Sequence, residues 1–126
     1  MSVTNIADLD IVRIASSLGT VMSYRAGDAI FREGDPARDM YVVLRGIVEI
    51  ASHGRSIESI QPGDALGIVS LIDGRTRSAD AVAVTDVELA VLDARTFRYA
   101  VEEVPHFVWY VMDELAQRLR ATNAAL

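Results

Sequence analysis

Between Thr20 and Asp93 the chain is cut into short lengths by glycine, at 27, 34, 46, 54, 63, 67 and 74, mostly beside Asp, Glu or Pro. Three of these glycines stand in tight-turn sequences of one kind: RAGD (25–28), REGD (32–35) and QPGD (61–64). Glycine there supplies the positive φ that such turns need. Between the turns lie short runs with β-branched and aromatic residues: Val21–Tyr24, Ala29–Arg32, Met40–Leu44, Ile47–Ala51, Ser56–Ile60, Ala79–Val84 and Glu88–Leu92. Strands at roughly 8–12-residue spacing, joined by turn chemistry, predict an all-β sandwich or roll over residues 20–93. The recurring turns are punctuation and not a repeat with its own fold.

Both flanks change period. Residues 5–18 carry Ile6, Leu9, Val12 and Ala15 at helical spacing, with Thr4 or Asn5 as the cap and Gly19 as the stop. Residues 1–19 are therefore expected to hold an N-terminal helix, and residues 94–126 C-terminal helices. Ala94–Val104 reads as one helix. Pro105 interrupts it and suits the first turn of a second, longer helix ending near Ala124. That helix carries two apolar stripes, Val108, Val111 or Met112, Leu115 and Leu119, and Trp109, Met112, Ala116, Leu119 and Asn123. A face this wide exceeds what one neighbour covers. It packs on the roll, and a homodimer seam through residues 107–123 is a further expectation.

A length of 126 residues fits a single domain, with no separate DNA-binding or catalytic domain. There is no cysteine, which excludes disulfides, thiolate metal sites and a cysteine nucleophile. The N-terminus, MSVTNIADLD, is too polar for a signal peptide. No apolar run approaches the roughly 18 residues of a membrane span. A cytoplasmic protein without a membrane partner is expected. The net charge is −6 and the twelve basic residues are scattered, so direct nucleic-acid binding is not expected. His53 and His106 lie in different regions, which argues against a metal site. His53 reads as a hairpin tip and His106 as a helix start. The pairs Glu102-Glu103 and Asp113-Glu114 read as solvated helix faces. No P-loop is present. No catalytic residue is assigned, and an enzyme is not expected.

The stretch LGIVSLIDGRTRSAD (66–80) sets Arg77 between hydroxyl residues where the chain otherwise looks buried. A guanidinium does not escape burial by losing its proton, so Arg77 needs an anionic partner. Within the chain that partner is Asp73 or Asp80; otherwise it is a ligand.

These residues together carry a resemblance. IFREGD (30–35), MYVVLRGIVEI (40–50), PGD (62–64), the cassette LGIVSLIDGRTRSA (66–79) and TDVELAVLD (85–93) are similar to the cyclic-nucleotide-binding domains of bacterial catabolite-activator-type regulators and protein kinase A regulatory subunits. The likeness runs from about Leu18 to Asn123. It implies an eight-stranded β-roll, jelly-roll-like, with an N-terminal helix and two C-terminal helices. It also implies that Arg77 binds a cyclic phosphodiester, and that a short helix follows Gly67. The Val69 and Ser70 amides would face the phosphate, with Gly67 allowing close approach. Ser78 matches a position that offers a hydroxyl, and Thr122-Asn123 falls where a closing-helix pair meets the adenine. No cofactor is implied beyond cAMP or cGMP as ligand.

The cassette departs from the family at Ile68, at Thr76, where a proline is common, and at Asp80. The glutamate that accepts the ribose hydroxyl is replaced by Ile68, removing a hydrogen bond worth roughly 1.5–3 kcal/mol. On this reading, Ile68→Glu should strengthen nucleotide binding. Asp80 stands where a small residue is usual. Turned inward it neutralises Arg77 and repels a phosphate; turned outward it leaves the site intact. Two functional readings follow. One is a sensor of a cyclic nucleotide or other small anion, signalling through the closing helix to an unknown protein partner. The other is a ligand-independent dimerisation or protein-interaction module.

Overall fold

In the computed structural model, residues 10–124 are described, with side chains through 120. Helix α1 (Ile11–Leu18) opens the fold and is followed by β1 (Thr20–Tyr24), β2 (Ala29–Phe31), β3 (Asp39–Arg45), β4 (Val48–Ser52), β5 (Arg55–Ile60) and β6 (Ala65–Leu66). Helix α2 (Ile68–Asp73) precedes β7 (Asp80–Ala83) and β8 (Val87–Asp93), and α3 (Ala94–Glu103) and α4 (Phe107–Ala124) close the chain. The strands form two antiparallel four-stranded sheets, ordered β1-β8-β3-β6 and β2-β7-β4-β5. This is the eight-stranded roll with one helix before it and two after. No helix among the described residues is long and apolar enough to cross a membrane.

The core has two layers that share the first sheet. Tyr41, Val43, Leu89 and Val87 point between the sheets, against Val48, Ile60, Ala81 and Ala83. Met40, Val42, Ala90 and Leu92 point the other way, against Ile11, Ala15, Ala100, Phe107 and Val111. The run MYVVL reads as continuously apolar because a strand covered on both faces has no solvent side to keep polar.

The three glycine-aspartate turns dock in one way. Gly27, Gly34 and Gly63 have φ near +90°. Each donates its N–H to a carbonyl on another segment, and the same residue there donates back to the carbonyl of the following Asp. The pairs are Gly27/Asp28 with Ala83, Gly34/Asp35 with Arg77, and Gly63/Asp64 with Val43, all at 2.7–3.0 Å. The turns satisfy backbone groups that a continuing strand would otherwise satisfy.

Several boundaries differ from expectation. The described helix α1 takes its cap from Asp10, whose carboxylate accepts the Arg13 N–H at 3.2 Å. Thr4 and Asn5 lie outside the described residues. Gly19 ends α1 in extended backbone, φ −97°, and not in the left-handed region. Glycine is needed there because a Cβ would sit 2.5 Å from the Val91 carbonyl oxygen. Pro105 stays in the turn before α4, because His106 takes φ +68° and the helix starts only at Phe107. His53 at φ +53° and Gly54 at φ +77° form the two-residue tip between β4 and β5, as a twisted hairpin requires.

Candidate functional site

Arg77 is placed by its own backbone first. The REGD turn takes both its N–H, to Asp35 O at 2.9 Å, and its carbonyl, from Gly34 N at 2.8 Å. The side chain then runs inward and is 3% exposed. Nη1 donates to Gly67 O at 2.9 Å and Nη2 to Asp39 O at 2.6 Å. The guanidinium lies over the Phe31 ring, 4.3 Å from its centroid, with Tyr41 at 5.8 Å. Nε is buried without a hydrogen-bond partner.

Neither aspartate suggested by the sequence is the partner. Asp73 accepts the Arg75 N–H at 2.9 Å. Asp80 accepts the Glu33 N–H at 2.8 Å and lies 3.9 Å from Arg32. Among the described residues no carboxylate comes within ion-pair distance of Arg77. A full positive charge is thus held by two neutral carbonyls and an aromatic face, a weaker arrangement than charge pairing. Burial pushes the Asp39 carboxyl up, as does Asp93, while Arg77 and Arg38 pull it down. Burial also raises the Tyr41 phenol, against the pull of Arg77.

Gly67 caps the start of helix α2 and adopts φ +82°. A Cβ at Gly67 would meet Arg77 Nη1 at 2.8 Å and Asp39 O at 3.2 Å. Gly67, Val69, Ser70, Arg77 and Ser78 line one cavity. Ile68 does not line it. Its side chain is 0% exposed and packs in the helix-facing core, because a rotation of one residue along α2 exchanges cavity for core and an apolar side chain takes the core. Val69, 49% exposed, holds the cavity side instead. The Ser70 hydroxyl donates to Thr76 O at 3.3 Å, which ties the two ends of the cassette together. The side chains of Thr122 and Asn123, near the end of α4, lie outside the described residues.

The opposite wall comes from residues that sequence reasoning did not single out. Phe31, Ile50, Glu58 and Arg118 line it too, with Leu66 and Ala79. Arg118 Nε, on α4, lies 3.1 Å from Glu58 Oε1, on β5, so an ion pair spans from helix to roll at the cavity. Nothing local in either sequence segment points to this pairing, since the two residues are sixty apart in the chain. The space inside is about 100 Å³, below the roughly 300–1,000 Å³ of ordinary ligand pockets. A wider open depression of about 620 Å³ is lined by Arg25 and Arg45 but also by Asp28, Asp86 and Glu88. Asp28 and Asp86 there accept turn N–H groups, so it is a surface dip closed by local structure. Among the described residues no cluster of three metal-ligating side chains occurs.

A family model for the cyclic nucleotide-binding domain matches residues 21–103, which include the roll and its arginine cassette. The chain belongs to this family. As a cyclic nucleotide-binding domain it is 32% identical over 108 residues to the cyclic AMP receptor protein of Thermus thermophilus, a match covering 82% of this chain and 50% of that protein. It is 34% identical over 86 residues to a cAMP-dependent protein kinase regulatory subunit of Schizosaccharomyces pombe, covering 68% of this chain and 21% of that one. Among solved structures it resembles the Thermus thermophilus catabolite activator protein, with a TM-score of 0.79, 31% identity, and coverage of 92% of this chain and 57% of that one. The domain spans half or less of the length of these two curated relatives. It is a type of domain found in transcriptional regulators and kinase regulatory subunits.

Proposed function

We propose that this chain is a cyclic-nucleotide-sensing regulatory module, with the ligand phosphate held at Arg77 and the signal carried by α4. The observation that supports it is the buried Arg77 guanidinium, which among the described residues has no carboxylate partner and keeps Nε unpaired beside a cavity. An exocyclic phosphate oxygen is the acceptor that such a group lacks. Gly67, Val69, Ser70 and Ser78 are assigned as the remaining cassette contacts, with cAMP or cGMP as the ligand class. The relatives named for cAMP bring that ligand to this chain. Thr122 and Asn123 remain candidates for the base contact. The chain is read as one domain, 1–126, acting in the cytoplasm on a protein partner, with no catalysis and no direct nucleic-acid contact. Its net charge of −6 fits that reading.

Binding must favour one α4 position over another if the helix is to signal. The cavity lining supports such a link, because α2 and the Glu58–Arg118 pair, which reaches α4, both border the site. A second reading, a ligand-independent dimerisation or interaction module, draws on the same small cavity and on the missing ribose-binding glutamate at Ile68. Its specific support is the exposed stripe Trp109, Met112, Ala116 and Leu119 on α4. The heptad-like spacing of these residues suits a second copy of the helix. Calorimetric titration with cAMP and cGMP decides between the two. The sensor reading expects saturable binding by the native chain that Arg77→Ala abolishes. Binding of neither nucleotide, or equal binding by Arg77→Ala, favours the second.

A further inference from the structure

Three side chains on one face of α4, spaced four residues apart, grip the β5–β6 turn and the first residue of β6. Tyr110 Oη donates to Gly63 O at 2.7 Å. Glu114 Oε1 accepts the Ala65 N–H at 2.8 Å, and Arg118 Nη2 donates to Ala65 O at 3.0 Å. Strand β6 is a two-residue edge, paired with β3 on one side. Its outer edge would leave the Ala65 N–H and carbonyl without a strand neighbour. Helix α4 therefore supplies with side chains what another strand would supply with backbone. Two residues further on stands Gly67, whose carbonyl holds Arg77 Nη1.

The middle side chain of this grip is unusual. Glu114 is 4% exposed, and its carboxyl group is in hydrogen-bonding reach of the Asp64 carboxyl. Two carboxylates are acceptors only, so that contact needs a proton on one of them. The groups facing it are Asp64 from the turn, Tyr110 and Arg118 on α4, and Glu58 on β5 by way of Arg118. Arg118 is engaged with Glu58 and with Ala65 O. Burial pushes Glu114 up to about 7 and Asp64 adds to it, against the pull of the Ala65 N–H and Arg118.

We propose that a proton on the Glu114 carboxyl, donated to Asp64, fastens α4 to the β5–β6 turn, so that helix and cassette loosen together when the proton leaves. The consequence for the cassette rests on the reading of Arg77 as the ligand site; the clasp itself does not. The ordinary glutamate value is 4.5, and the docked group sits above it. Docking is therefore strongest below pH 4.5, weakens as pH rises between 4.5 and about 7, and is constant above that.

Nuclear magnetic resonance on the ligand-free chain tests this without reference to any nucleotide. The Ala65 amide resonance should titrate with a midpoint near 7, and protection of the α4 amides should fall more than tenfold over the same range, because the displacement exceeds one pH unit. Glu114→Gln keeps an acceptor for Ala65 and gives Asp64 a permanent donor. It should abolish the titration and retain protection at high pH. Asp64→Asn should move the midpoint down toward 4.5, and it carries the test if Glu114→Gln fails to fold. An Ala65 midpoint near 4.5 in the native chain overturns the proposal. So does a midpoint near 7 that persists in Glu114→Gln, which would report a histidine, or one that Asp64→Asn leaves unmoved.

Discussion

Asp80 lies three residues after Arg77, yet its carboxylate turns away and is held by the Glu33 N–H at 2.8 Å, beside Arg32 at 3.9 Å. Of the two orientations open to Asp80 in the sequence, this is the one that leaves Arg77 unneutralised. Asp80 also ties β7 to the REGD turn, which in turn fixes the Arg77 backbone.

Asp80→Ala should therefore leave nucleotide affinity within about threefold of native while lowering stability by about 1 kcal/mol, the usual worth of one hydrogen bond. Urea unfolding and calorimetry measure the two separately. A large gain in affinity would show that the carboxylate does repel the ligand.

Gly67→Ala places a Cβ against the guanidinium and forces alanine into a left-handed conformation. A stability loss of about 1–2 kcal/mol is expected from the backbone alone. Because the Arg77 head must also shift, nucleotide binding should fall at least tenfold. Thermal unfolding and a binding isotherm check both effects.

The fully buried position of Ile68 reverses the expectation for Ile68→Glu. A carboxylate there faces Met40, Ala90 and the helices instead of a ribose. The variant should lose several kcal/mol of stability at neutral pH and recover part of it in acid, as the carboxyl takes up a proton. Denaturation curves at two pH values suffice, and tighter cAMP binding by a stably folded variant would contradict the placement.

Trp109, Met112 and Leu119 are 49–61% exposed on α4. Light scattering should find a dimer that Met112→Glu or Leu119→Glu converts to a monomer. A native monomer, with and without nucleotide, would leave this stripe without a partner copy.

Much of the fold is legible in the sequence because glycine spacing and side-chain period act locally. Seven of the strands announce themselves in this way. The eighth, Ala65–Leu66, is too short for any period, and its strand character comes from β3 and from α4 side chains about fifty residues away. The burial of Arg77 is legible too, from the apolar residues around it. Its partners are not, because Gly67 O and Asp39 O are backbone atoms, and every residue has a carbonyl. Ile68 is misread for a related reason. Family alignment fixes its position in the cassette, but the φ of Gly67 fixes which way α2 is turned. Glu114 reads as half of a solvated pair with Asp113. Only the docking of α4 separates the buried one from its neighbour.

The Arg77 Nε–H is the most direct reporter of the central claim, since it is a buried donor without an acceptor among the described residues. Its proton resonance should move downfield and saturate as cAMP or cGMP is added, marking a new hydrogen bond to phosphate. A resonance that stays fixed at saturating concentrations of both nucleotides would contradict the account.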